Sequence, residues 1–241
     1  MFEKSYQVER FLSNNGKLSP RYLGFLLSDI MELNANSYGA GVAYHTKHNL
    51  AWVLTDYEFE INGLPGVDEE ILVGTLPYSF KRYFGYRLYQ IRDTSNTIYL
   101  KGKGKFVLIN TVTKLLTQPS KALLDMFTDA HKDALSLSIS KYKPFKNKFL
   151  YEIKTRVHQA YIDSNNHMNN AYYLALSHDF LKSGLIENDQ LKFIKVYYRK
   201  EALLDMELTF AFYDEQEGIY VEIKSDLGLH GYVLFQLKNT S

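Results

Sequence analysis

"SNNHMNNAYYL" (Ser164 to Leu174) has a counterpart early in the chain, "SNNGKLSPRYL" (Ser13 to Leu23). Aligned without gaps, the two share Ser, Asn, Asn, Tyr and Leu at corresponding positions. The segments downstream of the two copies also correspond. "NLAWVLTDYEFEI" (Asn49 to Ile61) is similar to "QLKFIKVYYRKEA" (Gln190 to Ala202), both opening with Leu, an aromatic and a β-branched residue at the same spacing. "TIYLKGKGKFVLIN", from Thr97, is similar to the closing pair "GIYVEIK" and "GYVLFQLKN". Self-similarity at this distance marks a duplicated structural unit.

Each unit reads as a short strand, a loop, one helix and several strands. In the first, Ser19 and Pro20 suit a helix N-cap and first turn, and Leu23, Leu26, Leu27, Ile30 and Met31 form a stripe at helical spacing that should end before "SYGAG". In the second, Asn169 or Asn170 takes the cap, Tyr173, Leu176 and Phe180 continue one face, and Gly184 is the expected stop. The remaining segments, such as "EILVGTLPYSF", "YFGYRLYQIRD", "LTFAFYDE" and "YVLFQL", are strand-length runs rich in aromatic and β-branched residues. Turns such as "TSNT" and "DEQEG" join them, which favours antiparallel pairing. The expected class is α+β: a tandem (double) hotdog, with antiparallel sheet wrapped around one central helix in each half. "PSKALLDMFTDAHKDAL" (Pro119 to Leu135) reads as a connecting helix, so the halves are 1–140 and 141–241, with the boundary near 141–147.

Composition narrows the function classes. In 241 residues, 46% hydrophobic content is enough for a sizeable core. Lys and Arg number 28 against 27 Asp and Glu, so the overall charge gives no reason to expect nucleic acid or an anionic membrane as partner. Cysteine is absent, which removes disulfides, thiolate metal sites and a cysteine nucleophile and fits a reducing compartment. "MFEKSYQVER" lacks the apolar run of a signal peptide, and no run of ~18 apolar residues occurs elsewhere, so a cytoplasmic location is expected. His45 and His48 are three apart, and His131, His158, His178 and His230 are scattered without a ligand pattern, so no metal or cofactor is expected. "KGKGK" (Lys101 to Lys105) lacks P-loop spacing and reads as the exposed face of a strand.

The polar run "YIDSNNHMNNAYYL" (Tyr161 to Leu174) fits either a loop that caps a helix or an active site. Its "DSNNHMNNAYYL" resembles the Asp-x-Asn-x-His-(Val or Met)-Asn-Asn segment of acyl-acyl carrier protein thioesterases. "VYYRKEALLDMEL" resembles that family's Tyr-Arg-(Arg or Lys)-Glu strand, and "KHNLAWVLTDYEFEIN" its Asn-Leu-x-Trp-Val-x-Thr strand. The resemblance spans nearly the whole chain in the right order. It implies a thioester hydrolase that releases a free fatty acid and ends chain synthesis, with Asp163, Asn165, His167 and Glu201 as functional positions. Plant relatives place a Cys after that Glu; here the residue is Ala202, so water must be the nucleophile.

Chemistry is compatible with that implication. In an extended segment alternate side chains share a face, so Asp163, Asn165 and His167 would converge just ahead of a helix amino terminus. Its unpaired N–H groups and dipole would suit the developing oxyanion. Imidazole can orient or deprotonate water near neutral pH, with the choice of base between His167 and Glu201 left open. If Glu201 lies in a strand, its phase puts it on the face opposite Ile194, Val196 and Tyr198 unless a bulge intervenes. By the gapless repeat, His167 corresponds to Gly16, Asn169 to Leu18 and Asn170 to Ser19, so the first half is catalytically degenerate and free to hold an acyl chain, with Trp52 as a lining residue. The expected partner is acyl carrier protein, which is acidic. It would meet a basic patch drawn from Lys141, Lys143, Lys146 and Lys148, or from Lys192, Lys195, Arg199 and Lys200. A homodimer is compatible with this reading. The same fold acting on coenzyme A thioesters, or binding acyl chains without catalysis, are the competing readings.

Overall fold

The computed structural model describes residues 1–130, 139, 148–215 and 218–238. The chain runs β1 (Phe2–Gln7), β2 (Ser13–Asn14), β3 (Lys17–Leu18), α1 (Leu23–Ser37), α2 (Val42–Lys47), β4 (Leu50–Ile61), β5 (Glu70–Lys81), β6 (Phe84–Asp93), β7 (Ile98–Asn110) and α3 (Lys121–Met126). It continues with β8 (Lys148–Arg156), α4 (Ala171–Asp179), β9 (Leu191–Tyr198), β10 (Glu207–Glu215), β11 (Gly218–Ser225) and β12 (Gly228–Leu237). Strands β2 and β3 form a small hairpin. The other ten make one antiparallel sheet in the order β1-β5-β6-β7-β4-β9-β12-β11-β10-β8.

That order is the duplication made visible. From the centre outward each half has the same sequence of partners, with β9 matching β4, β12 matching β7, β11 matching β6, β10 matching β5 and β8 matching β1. The halves join where β4 pairs with β9, from Asp56↔Tyr197 to Glu60↔Phe193. Asp56 and Tyr197 are equivalent in the sequence repeat and also face each other across this seam. The approximate two-fold axis therefore passes through that pair. Beside it, Lys195 Nζ meets Glu58 Oε1 at 3.0 Å with both side chains buried.

Alternation along β4 sends Tyr57, Phe59 and Ile61 to the helix side, and a bulge between Leu54 and Asp56 resets the phase so that Leu54 and Trp52 join them. Glycines at 102 and 104 on β7 let rings approach closely: a Cβ at either position would lie about 3 Å from Phe59, Tyr89, Tyr57 or Phe106. The lysines of "KGKGK" alternate with these glycines on the other face of β7, as expected.

Leu23, Leu26, Leu27 and Ile30 of α1 are buried in the shared core, with Met31 at its edge. Ser19 precedes a 3-10 turn at Pro20–Tyr22 rather than α1 itself, and its hydroxyl makes no cap bond. Helix α4 is short and ends at Asp179, five residues before Gly184, because Phe180 turns away to pack on Phe210. Among the described residues the expected connecting helix is α3: Ser120 Oγ accepts the Leu123 N–H, and α3 stops at Phe127, whose ring docks on Phe80 and Tyr38. The rest of that stretch from 131, the expected boundary near 141–147, and part of the "DEQEG" turn lie outside the described residues. Among the described residues no helix is long and apolar enough to cross a membrane.

The two central helices touch through small residues. A Cβ on Gly24 would sit 3.0 Å from Ala171 Cα and 3.1 Å from Ala171 Cβ, while Phe25 meets Tyr172 edge-on at 5.1 Å. Arg21 and Asp179 close the far end at 3.1 Å. Replacing Gly24 by Leu overpacks this contact, and urea denaturation should show a loss of ~1–3 kcal/mol.

Candidate active site

The motif is not extended. Ile162 and Met168 pair as an isolated antiparallel bridge, and Asp163 to His167 form the loop between them. Asn166 has a positive φ of 63°, which a short polar side chain tolerates. The Asp163 carboxylate organises the loop from inside. Its Oδ1 accepts the Asn165 backbone N–H at 2.8 Å, Oδ2 lies 3.5 Å from Asn165 Nδ2, and Oδ1 lies 3.7 Å from His167 Nδ1. The main chain closes it: Asp163 N–H donates to the His167 carbonyl at 3.0 Å and Asn166 N–H to the Asp163 carbonyl at 3.1 Å. Asp163, Asn165 and His167 thus converge as expected, through a turn rather than through strand alternation.

The next link reaches Glu201. Met168 N–H, one residue beyond His167, donates to the Ala202 carbonyl at 2.8 Å. Strand β9 has ended at Tyr198, so Glu201 sits in the loop beyond it and the strand-phase expectation does not apply. Its side chain is exposed, whereas Ala202 is fully buried. The carbonyl of Lys200, on the other side of Glu201, accepts from Tyr173 Oη at 2.8 Å and from His230 Nδ1 at 3.3 Å. The His230 carbonyl in turn takes the N–H groups of Arg199 and Lys200. With Nδ1 donating, the neutral ring has Nε2 free to accept from the Ser225 hydroxyl at 2.8 Å. Burial lowers its pKa, with hydrogen bonds to the Lys200 and Glu201 backbone opposing. Burial, and then the charge of Glu201, push the Tyr173 hydroxyl up.

At the start of α4 one expectation is resolved and another changes. Asn170 occupies the cap position without a side-chain bond, while Asn169 Oδ1 takes the Ala171 N–H at 2.9 Å. The Tyr172 and Tyr173 N–H groups are bound to the Asn169 and Asn170 carbonyls. The first-turn donors expected to face an oxyanion are therefore occupied, leaving the helix dipole as the contribution of this terminus.

The first half shows what is lost. Leu18 N–H bonds the Pro65 carbonyl as Met168 bonds Ala202, and Ser19 N–H bonds Leu12 as Asn169 bonds Tyr161. These pairs shift the gapless repeat by one position. Tyr161 to Asn169 contains one more residue than Leu12 to Ser19, so His167 matches Lys17 rather than Gly16, and Asn169 matches Ser19 rather than Leu18. Asn166 matches Gly16, both with positive φ. Asp163 matches Asn14, and Glu201 matches the buried Leu64. In the first half Asn15 and Gly16 form a two-residue hairpin turn, both with φ > 0. Lys17 points elsewhere, to Asp189 at 2.7 Å.

Other expected positions divide. Trp52 packs on Phe80, and a Cβ on Gly85 would meet its ring at 3.0 Å. Arg199 and Lys200 are exposed next to Glu201, whereas Lys192 is exposed at the opposite end of β9 and Lys148 at the start of β8. Lys195 is buried against Glu58, which removes it from any docking patch, and Lys141, Lys143 and Lys146 lie outside the described residues. Sequence reasoning did not find the Tyr173 and His230 clamp; a histidine in the otherwise apolar β12 was its one visible sign.

The fold is a double hotdog, with the loop of Asp163, Asn165 and His167 held against the segment of Glu201. Residues 1–127 match the acyl-ACP thioesterase N-terminal domain and 142–236 the acyl-ACP thioesterase C-terminal domain, so the chain belongs to the acyl-ACP thioesterase family. Among solved structures it is similar to an acyl-ACP thioesterase from Bacteroides thetaiotaomicron VPI-5482, with a TM-score of 0.84 and 20% identity over 98% of this chain and 97% of that one. It is also similar to the 12:0-ACP thioesterase from Umbellularia californica, with a TM-score of 0.87 and 16% identity over 98% and 96%. At these identities the likeness establishes the fold. No curated protein matches.

The His230 clamp gives stability a pH dependence. Its folded pKa lies below the unfolded value of ~6.5, so the unfolded chain binds the extra proton first and stability falls as pH drops from about 6.5 through the folded pKa. Urea denaturation of the wild type and His230→Gln across this range should show a smaller acid loss in the variant.

Proposed function

We propose that the protein hydrolyses the thioester of acyl-acyl carrier protein by attack of water assisted by His167 and Glu201. The observation that carries this is the Met168–Ala202 hydrogen bond, which holds the loop of His167 against the segment of Glu201. Asp163 faces Nδ1 of His167, which leaves Nε2 for the water. At 3.7 Å that contact is longer than a hydrogen bond, and it shortens as the imidazole gains charge. Asn165, through its bonds to Asp163, keeps the carboxylate turned toward the imidazole.

In the reaction, one of His167 and Glu201 takes a proton from water, which the other helps to orient, as its oxygen bonds to the acyl carbon. The tetrahedral intermediate then collapses with cleavage of the C–S bond. The proton passes to the departing thiolate, and the fatty acid and the free carrier thiol are released. The positive end of the α4 dipole, which starts four residues after His167, favours the negative intermediate.

Residues 1–140 are assigned as the half that holds the acyl chain, with Trp52 in its lining, and 141–241 as the catalytic half. The exposed Arg199 and Lys200 face the acidic carrier beside Glu201, and Lys192, at the other end of β9, is left outside that patch. The family's substrate supports a cytoplasmic site of action, where fatty acids are assembled on the carrier.

His167→Ala and Glu201→Gln should each lower kcat by about 10²-fold or more while the thermal unfolding curve is retained. Wild-type rates for either variant would remove that residue from the mechanism. For one acyl group on both carriers, kcat/KM should be higher on acyl carrier protein. An equal or higher value on coenzyme A would overturn the carrier assignment.

A further inference from the structure

Charge is unevenly distributed over the first half. Residues 71–124 carry nine Lys or Arg and a single carboxylate, Asp93. Neighbours account for most of the cations. Lys101, Lys103 and Lys105 of β7 stand opposite Glu60, Glu58 and Asp56 of β4, Arg92 pairs with Glu3 at 2.8 Å, and Arg87 is buried against Asn34 and Thr75. Lys121 has Asp125 one turn further along α3. Lys81, Arg82 and Lys114 are left, all exposed, and among the described residues none of them forms an ion pair.

These three meet at one end of the sheet. Arg82 and Tyr83 form the turn between β5 and β6, and the Tyr83 carbonyl accepts the Leu108 N–H at 2.9 Å. The chain after β7 folds back beside it, with Thr117 N–H on the Leu108 carbonyl and Asn110 N–H on the Leu115 carbonyl, both at 2.9 Å. Asn110 Oδ1 takes the N–H groups of Val112 and Thr113 at 3.0 and 2.9 Å, which fixes the turn that carries Lys114. A bond from Thr111 N–H to the Asn49 carbonyl brings the end of α2, with the exposed Lys47, to the same turn. On this hydrogen-bonded tip Val112, Leu115 and Leu116 are 71%, 68% and 52% exposed. Neighbouring aliphatic side chains held in water among unpaired cations mark an interaction surface. The fold itself does not demand that charge: at the equivalent turn of the second half, after β10, the chain has Asp214 and Glu215.

The tip is close to the candidate site. Strand β4 meets Tyr197 of β9 only at Asp56, so its first six residues run past the end of β9, on the side where Arg199, Lys200 and Glu201 follow. The tip and Glu201 therefore share one end of the sheet, with β7 two strand spacings, about 10 Å, from β9. Asp214 and Glu215 lie at the other end.

We propose that this tip is the main docking surface for the acidic carrier protein, so that the first half receives the carrier whose thioester the second half cleaves. This rests on the carrier-protein reading and extends the patch of Arg199 and Lys200 across the seam. Carboxylates of the carrier meet Lys47, Lys81, Arg82 and Lys114, and its apolar side chains cover Leu115 and Leu116. An arm bearing the acyl group then has only β4 to cross to reach Glu201.

The test compares one straight-chain acyl group as the thioester of a bacterial acyl carrier protein and of pantetheine, which brings no protein surface. In the full chain, Lys81→Glu combined with Arg82→Glu and Lys114→Glu should raise KM for the carrier substrate at least ~10-fold with kcat little changed. The same variant should keep kcat/KM for acyl-pantetheine within ~2-fold of the wild type, which also reports that it is folded. Leu115→Ser combined with Leu116→Ser should shift KM in the same direction. A wild-type KM for the carrier in both variants, or an equal loss on both substrates, overturns the docking surface and leaves the thioesterase reading standing. So does loss of binding to phosphatidylglycerol vesicles in the charge-reversed variant with carrier kinetics unchanged, which would make the tip a membrane contact. No hydrolysis of either thioester by the wild type would overturn both.

Discussion

The pairing of β4 with β9 is the constraint on which the molecule depends. Two half-sheets, each with an exposed edge, become one ten-stranded sheet only because these strands meet in register around Asp56 and Tyr197. An unpaired edge is a row of unsatisfied backbone groups, and joining two equivalent edges removes both at once. The seam also brings α1 and α4 to the same side, where Gly24 and Ala171 let their backbones approach closely. The start of α4 and the start of α1 thereby become neighbours.

Ahead of α4 the second half builds a hydrogen-bonded frame around an exposed carboxylate. Glu201 is flanked by two anchored carbonyls, Lys200 held by Tyr173 and His230, and Ala202 held by Met168. The side chain can stay in water while its backbone is fixed from α4, β12 and the motif loop. Asp163 does the same for the loop from inside, satisfying a backbone N–H with the carboxylate that also faces the imidazole. The polarity of the stretch therefore serves folding and chemistry together. Asn169 is the clearest structural member, since its side chain caps α4.

Much of this was legible in the sequence. The stripe from Leu23 to Ile30 and the aromatic strands were visible as helical and strand periodicity, and the repeat as two equivalent halves. The cluster of Asp163, Asn165 and His167 was visible through the resemblance of its motif, since composition alone fits a capping loop as well. Three features were not. The loop geometry was hidden because a turn and a strand can bring the same residues together, and only the bridge of Ile162 to Met168 separates them. The roles of Lys200, Ala202 and His230 were hidden because they act through carbonyls and a buried ring, which carry no side-chain signature. Lys195 looked like surface charge because its partner, Glu58, lies in the other half.

The two equivalent loops differ in length by a single residue, and that difference separates two kinds of turn. The Asn15–Gly16 hairpin is the shortest reversal available and has no room for a side chain that must turn back on the loop. The longer loop can fold around Asp163 and still present an imidazole. Installing histidine at position 17 and glutamate at position 64 would therefore not give the molecule a second working centre, because the backbone that aims the ring would be missing. After a duplication of this kind, the asymmetry between the copies is protected by chain length as well as by residue identity, and a point substitution cannot reverse it.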